Sequence, residues 1–121
     1  MHVAPSVLIV DDHPSFRSTA RLLLEAEGWS VIGEAEDGAA ALDAAECLSP
    51  DVVLLDVNLP DLDGFDVAAR MTARPGAPAV VMTSSRDGTD FGPLVARSGA
   101  RGFVPKADLS GALLAELVDL R

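Results

Sequence analysis

The sequence predicts an α/β domain built on a doubly wound, five-stranded parallel sheet. Short apolar runs alternate five times with amphipathic segments of roughly 10 to 14 residues, which is the pattern of repeated strand and helix units. One run, Val52 to Leu55, is four consecutive apolar residues without alternation, as expected of a strand covered by helices on both faces. With 121 residues and a hydrophobic fraction of 49%, the chain is large enough to bury the core of one domain.

The first two strand and helix units occupy the amino-terminal part of the chain. We expect a strand over about Ser6 to Val10, after which Pro14 begins a helix at the first helical position, where its missing N–H has no cost. Gly28 ends this helix. A second strand, around Ser30 to Ala35, precedes an Ala-rich helix that runs to about Leu48.

The central units follow the same alternation. After the strand at Val52 to Leu55, a polar loop leads to Gly64 and then to an amphipathic helix that Pro75-Gly76 ends. A fourth strand begins at Ala79. We expect a helix of about two turns starting near Pro93, because glycine and proline interrupt the helical pattern around it.

The last unit is a strand over Gly102 to Pro105 and a final amphipathic helix. The predicted apolar positions of that helix are Leu109, Leu113, Leu114, Leu117, Val118 and Leu120. The spacing of these residues places them on one face of a helix that packs against the sheet.

The charge balance excludes some kinds of partner. Acidic residues number 19 and basic residues 9, which gives a formal net charge of −10 and repels a nucleic-acid backbone. No apolar run approaches the roughly 18 residues of a membrane span, and the first residues lack the features of a signal peptide. We therefore expect a cytoplasmic protein that binds neither membrane nor nucleic acid directly.

Four of the predicted strands end in polar residues of different kinds. They end at Asp11-Asp12, at Asp56, at Thr83-Ser84 and at Lys106. Because the carboxyl ends of parallel strands share one edge of the sheet, these side chains should lie close together where such sheets bind ligands. Three carboxylates, a hydroxyl and an ammonium in one place predict a site for a divalent cation and a phosphoryl group.

The chemistry of these residue types makes the prediction more specific. Carboxylates of Asp11, Asp12 and Asp56 suit Mg²⁺, which prefers a few hard oxygen ligands and keeps several waters. Like charges this close are costly without a cation. An aspartate also accepts a phosphoryl group when a metal and a fixed ammonium neutralise the transferring oxygens, and Asp56 and Lys106 suit these roles.

Each residue taken alone also has a structural explanation. Aspartate after a strand is common as a turn or helix-capping residue, and a lone lysine or serine there is more often a surface group. Their joint occurrence favours a site. We expect His13 at the start of the first helix rather than on the metal, because imidazole serves Mg²⁺ poorly, and we expect Phe16 and Phe65 in the core.

Three segments resemble the receiver domain of two-component response regulators, including the chemotaxis type. They are VLIVDDH at 7–13, DVNLPDLDG at 56–64 and GARGFVPK at 99–106. Together they place the resemblance over essentially the whole chain. The resemblance implies a flavodoxin-like sheet of order 2-1-3-4-5 with helices on both faces.

The resemblance assigns a role to each residue at the acidic edge. It implies that Asp56 is the phosphoacceptor in a Mg²⁺-dependent reaction and that Asp12 is a direct metal ligand, while Asp11 acts partly through water. Asp56 itself and the backbone carbonyl of Asn58 would complete the protein ligands. Asn58 and Arg86 resemble the positions that tune dephosphorylation.

Three further residues resemble the family's switch machinery. Lys106 would pair with a phosphoryl oxygen. Ser84 resembles the switch hydroxyl, which would draw the switch aromatic Phe103 from exposed to buried. Thr83 is the alternative to Ser84, because both residues lie at the end of the fourth strand.

The implied function is a phosphorylation-controlled signalling switch that catalyses only its own phosphorylation and dephosphorylation. Its partners would be a sensor histidine kinase or phosphotransfer protein and a downstream protein, with a homodimer through the last helices as a further option. We expect one receiver domain over residues 1–121 without an output domain, either as a stand-alone receiver or as a fragment of a longer regulator.

Two alternatives come from other classes of protein. One is a receiver-like adaptor that acts through protein contacts without phosphorylation. The other is an aspartate-dependent phosphatase of the haloacid dehalogenase type, whose nucleophile would lie in an Asp-x-Asp pattern on the first strand. The sequence there is Asp11-Asp12-His13, which argues against the phosphatase.

Overall fold

A computed structural model describes residues 4–85 and 91–119. The strands are β1 Ser6–Val10, β2 Ser30–Ala35, β3 Val52–Asp56, β4 Ala79–Ser84 and β5 Gly102–Pro105. The α-helices are α1 Pro14–Ala26, α2 Gly38–Leu48, α3 Gly64–Thr72, α4 Gly92–Arg97 and α5 Gly111–Leu117, and a 3-10 turn at Lys106–Asp108 precedes α5. No helix in the described ranges has the length and apolar character needed to cross a membrane.

The five strands form one parallel sheet of order β2-β1-β3-β4-β5. This order confirms the predicted flavodoxin-like topology. The chain starts at β1, fills one edge with β2, and crosses back to place β3 on the other side of β1. In sheets of this kind ligands bind at this reversal, outside the carboxyl ends of the strands, which here are β1 and β3. Asp11 and Asp56 lie at those two ends.

The core consists of two apolar layers, one on each face of the sheet. α1 and α5 pack on one face, with Leu24 and Leu114 fully buried there. α2 and α3 pack on the other, where Ala41 and Val67 are fully buried. All residues of β3 are buried, so the central position predicted for that strand is confirmed.

The last helix begins later than its apolar pattern predicts. Leu109 is buried but precedes α5, because Lys106–Asp108 forms a 3-10 turn. Ser110 then caps α5, since its side chain accepts a hydrogen bond from the Leu113 N–H at 3.0 Å. Leu120 lies outside the described residues.

The fourth helix is short, as its glycine and proline content predicts. α4 covers six residues and none of its residues is buried. The expectation of a short helix near Pro93 is confirmed. Few apolar contacts hold this helix against the sheet, so it belongs to the weakly anchored part of the fold.

Candidate metal and phosphoryl site

The predicted acidic edge exists, and one lysine lies between its two buried carboxylates. The Asp11 residue is 0% exposed and the Asp56 residue 3% exposed. Lys106 follows β5, and its Nζ lies 2.6 Å from Asp11 Oδ2 and 3.3 Å from Asp56 Oδ2. Lys106 donates a hydrogen bond to Asp56, and it is the single lysine of the chain. The three strand ends therefore meet at one ion-pair cluster.

The donor set fits a hard divalent cation. Asp11, Asp12, His13 and Asp56 each offer a ligand atom, and these atoms lie within 4.8 Å of one another. The buried Asp11 Oδ2 has no hydrogen-bond partner among the described residues, so its contact with Lys106 is an ion pair without an aligned hydrogen bond. Three carboxylates against one ammonium leave excess negative charge that a divalent cation would neutralise. The acidic cluster fits a Mg²⁺ site.

The pKa values of Asp56 and Lys106 are both raised, but for different reasons. Burial raises the pKa of Asp56; the hydrogen bond from the Asn58 N–H opposes this, and the charge of Asp11 adds to it. Burial by itself lowers the pKa of Lys106, but the close contacts and the charges of Asp11 and Asp56 outweigh it and leave that pKa above its ordinary value. Lys106 therefore stays charged, whereas keeping the buried Asp56 carboxylate ionised costs free energy.

His13 takes the predicted position and makes an unpredicted contact. It caps α1 without a side-chain hydrogen bond to that helix. Its Nδ1 lies 2.9 Å from Asp11 Oδ1 and 3.0 Å from Asp12 Oδ1, and its ring is 64% exposed. The imidazole therefore lies on the solvent side of the acidic pair.

Two residues with side-chain hydroxyls, Thr83 and Ser84, lie at the end of β4. Thr83 Oγ1 donates to the carbonyl oxygen of Val104 at 2.7 Å and is buried between β4 and β5. Ser84 is the last residue of the strand and is 1% exposed. The hydroxyl hydrogen of Thr83 is thus already used in joining the two strands.

Asn58 follows Asp56 in the loop that leads to α3. Its N–H donates to Asp56 Oδ1 at 3.1 Å, and its side chain is exposed. Asn58 also forms an isolated antiparallel β-bridge with Asp63 across the loop. Arg86 lies outside the described residues.

A row of three aromatic rings extends from β5 to the start of α3. The ring centroid of Phe91 lies 5.5 Å from that of half-buried Phe103 and 5.7 Å from that of Phe65. Gly64, just before Phe65, contacts the Asp56 carbonyl so closely that any Cβ would clash with it. The aromatic row therefore connects β5 with the backbone that follows Asp56.

A group of arginines beside the acidic turn was not found from the sequence. Arg17 Nη1 donates to the Asp11 carbonyl oxygen at 2.7 Å, and its Nε donates to Glu34 at 3.1 Å. Arg21 donates to the other oxygen of Glu34 at 2.7 Å. Side chains of α1 thereby fix the turn after β1 against β2. No sequence signal distinguishes these arginines from surface residues of an amphipathic helix.

Phe16 lies beside the site as well as against the core. Its ring packs on the α1 and α5 side of the core, yet the residue is only half-buried. Lys106 Nζ lies 4.6 Å from the ring centroid. Phe65, the other phenylalanine expected in the core, is 8% exposed.

Comparison with known proteins identifies close relatives. The chain matches the family described as the response regulator receiver domain over residues 7–118. It is 43% identical to a protein of Pseudomonas aeruginosa named as a transcriptional regulator, over 90% of this chain and 53% of that protein. It is 41% identical to the DNA-binding response regulator MtrA of Mycolicibacterium smegmatis, over 83% of this chain and 43% of MtrA. The chain thus spans about half the length of the curated relatives it matches.

Solved structures of receiver domains superpose on this chain. The signal receiver domain of NarL from Mycobacterium tuberculosis superposes with a TM-score of 0.86 at 33% identity, over 99% of this chain and 100% of that one. A CheX-CheY-BeF3-Mg²⁺ complex from Borrelia burgdorferi superposes with a TM-score of 0.82 at 26% identity, over 94% of this chain and 86% of that one.

Proposed function

The chain belongs to the response regulator receiver domain family, and we propose that it is a signalling switch of a two-component system that accepts a phosphoryl group on Asp56. The observation that best supports this role is the setting of that carboxylate. It is buried at the end of β3, receives a hydrogen bond from Lys106, and lies in the one cluster of the described residues that fits a metal ion.

In the proposed reaction an Asp56 carboxylate oxygen attacks the phosphorus of a phosphohistidine. A P–O bond forms, the P–N bond to the donor imidazole breaks, and the imidazole leaves with the electron pair of that bond. The charged Lys106 ammonium pairs with a phosphoryl oxygen. The product is an acyl phosphate on Asp56, which water later hydrolyses.

We propose that Asp11, Asp12, Asp56 and the Asn58 backbone carbonyl hold Mg²⁺ in this reaction. When bound, the ion supplies positive charge to the phosphoryl oxygens. The charge balance of the cluster supports the assignment, since three carboxylates face one ammonium and like charges this close are costly without a cation. His13 lies at the solvent side and is left out of the Mg²⁺ ligand set.

Among the two hydroxyls at the end of β4, we assign the switch to Ser84. Thr83 already donates to Val104, and moving it would break a bond between β4 and β5. A hydrogen bond from Ser84 to the phosphoryl group would favour the conformation in which Phe103 is buried, and the weakly anchored α4 would respond. Asn58 and Arg86 are the residues proposed to tune dephosphorylation.

The proposed partners follow from the phosphoryl chemistry. A sensor histidine kinase or phosphotransfer protein would supply the group, and a downstream protein would respond to the altered surface of one receiver domain over residues 1–121. The net charge of −10 argues against direct contact of this chain with nucleic acid. The proposed chemistry acts on the protein itself, so no substrate turnover is expected.

The test is phosphoryl uptake from a small phosphodonor such as acetyl phosphate. Intact-protein mass spectrometry should show one alkali-labile phosphoryl group on the wild type with Mg²⁺ and none with EDTA. Asp56→Asn should abolish uptake while circular dichroism shows an unchanged fold. Asp43→Asn, at an exposed position of α2, is the matched control and should behave as wild type.

Three results would contradict the proposal. Undiminished uptake by Asp56→Asn would exclude Asp56 as the acceptor. Steady hydrolysis of a generic phosphate ester by the wild type would favour the phosphatase instead. Binding of a partner without any phosphoryl uptake would favour the adaptor.

A further inference from the structure

We propose that Phe16 is a positioning residue for phosphoryl transfer: the face of its ring holds the Lys106 ammonium between Asp11 and Asp56. The proposal rests on the function proposed above, because it gives the lysine its role at the phosphoryl group. It adds a residue from α1 to a site otherwise built from the ends of the strands.

One aromatic ring and two carboxylates surround the Lys106 ammonium. Lys106 Nζ lies 4.6 Å from the Phe16 ring centroid, well within the roughly 6 Å over which a cation is attracted to an aromatic face. The carboxylates of Asp11 and Asp56 contact the same nitrogen at 2.6 and 3.3 Å. The lysine side chain is 15% exposed, so these groups enclose most of it.

Phe16 is itself held in place by its position in the fold. It lies in the first turn of α1, where Pro14 sets the backbone angle. The next residue, Arg17, binds the Asp11 carbonyl oxygen and Glu34, which ties this turn to β1 and β2. The ring is therefore presented from a rigid part of the fold, whereas a lysine side chain is long and has many rotamers to lose.

The Phe16 ring has no hydrogen-bonding group that could compete with a phosphoryl oxygen for the Lys106 ammonium. When Asp56 receives a phosphoryl group, Lys106 has to exchange a carboxylate oxygen for a phosphoryl oxygen. A polar side chain in the place of Phe16 would accept a hydrogen bond from the ammonium and compete with the phosphoryl group. An aromatic face attracts the cation without a fixed direction and keeps water off it, so the lysine is held but remains free to turn.

The single lysine makes the contact directly measurable. Protein labelled with ¹³C at the lysine ε-carbon gives one lysine side-chain signal, since the chain has no other lysine. The ring current of Phe16 should displace this signal from the value of a solvated lysine. Phe16→Leu should return it toward that value, and Phe16→Trp should keep it displaced.

The kinetic test separates positioning from folding. With saturating Mg²⁺ and a small phosphodonor, Phe16→Leu should slow phosphorylation about three- to tenfold, the change in rate that corresponds to the loss of one cation–π contact. Phe16→Trp should restore the rate to within about twofold of wild type. In a Lys106→Met background, Phe16→Leu should have no further effect.

Two outcomes would overturn the proposal: a lysine signal unchanged by Phe16→Leu, or equal slowing by Phe16→Leu with and without Lys106. The second outcome would give Phe16 a structural role only. Failure of the wild type to take up any phosphoryl group would instead reject the proposed function. In that case the lysine signal still decides whether Phe16 holds the ammonium in place.

Discussion

Two aspartates lie at opposite ends of β3, and their surroundings differ. At the amino-terminal end, exposed Asp51 accepts hydrogen bonds from the Ser6 N–H at 2.9 Å and from the Ser6 hydroxyl at 3.1 Å. Its own N–H donates to the Ser6 hydroxyl at 2.8 Å. At the carboxyl end, buried Asp56 faces the like charge of Asp11 and shares one lysine with it.

The two edges of the sheet therefore differ in how their carboxylates are paired. At the amino-terminal edge a carboxylate and a serine satisfy each other and join β1 to β3. At the other edge carboxylates are gathered that repel each other and gain little without a cation. The first arrangement adds stability, and the second gives some of it up at the proposed binding site.

Removing the stabilising aspartate should have the largest effect on folding. Asp51→Ala takes away the acceptor of two hydrogen bonds between β1 and β3, so the free energy of unfolding should fall by about 2 kcal/mol. Urea denaturation measures this, and the folded variant should still take up a phosphoryl group. A loss no greater than that of the exposed control Asp43→Ala would contradict the contrast between the two edges.

Replacing Asp56, at the acidic edge, should have the opposite effect and raise the free energy of unfolding. Because the pKa of Asp56 is raised by burial, its ionisation favours the unfolded state, and stability falls as pH rises through the raised pKa. Asp56→Asn cannot ionise. Without Mg²⁺ at neutral pH, the variant should be more stable by on the order of 1 kcal/mol, the scale of a partly hydrated like-charge contact.

The gain for Asp56→Asn should disappear in acid. Below the ordinary pKa of 3.8 the wild-type carboxyl is neutral in both states, so the two proteins should unfold alike. Thermal or urea unfolding across this pH range provides the measurement. A less stable Asn variant at neutral pH would show that the ion pair with Lys106 outweighs burial and repulsion.

A third carboxylate, that of Glu34, should stabilise the fold by a smaller amount. The hydrogen bond from Arg21 lowers the pKa of Glu34. Partial burial opposes this shift, and Arg17 adds to it. The resulting stability is present above the ordinary pKa of 4.5 and is lost as pH falls through the lower folded pKa. Glu34→Gln should therefore cost about 0.5 kcal/mol at neutral pH and nothing at strongly acidic pH. Equal costs in both conditions would contradict a charge effect.

The strands and the acidic edge could be predicted because they depend on local patterns. An apolar run that stops at an aspartate defines a strand end, and the parallel sheet brings such ends together without further information. Asp11, Asp56 and Lys106 meet as expected for this reason.

Contacts between distant side chains could not be predicted in this way. The N–H groups at the start of α2 bind the carboxylate of Asp61, which is 23 residues away from Gly38 in sequence. The contact of Phe16 with Lys106 depends on the angle at which α1 leaves the sheet. The start of α5 depends on Ser110, whose cap took precedence over the apolar pattern that includes Leu109.

The single lysine has a consequence for protein chemistry. A typical surface carries many lysines, so amine-directed reagents label it at random. Here the side-chain amine of Lys106 is the only one, and it is paired with two carboxylates. Acylation of a lysine in this chain is therefore acylation of the site itself. Protection from such a reagent on adding a cation or a phosphodonor would report occupancy at one known atom.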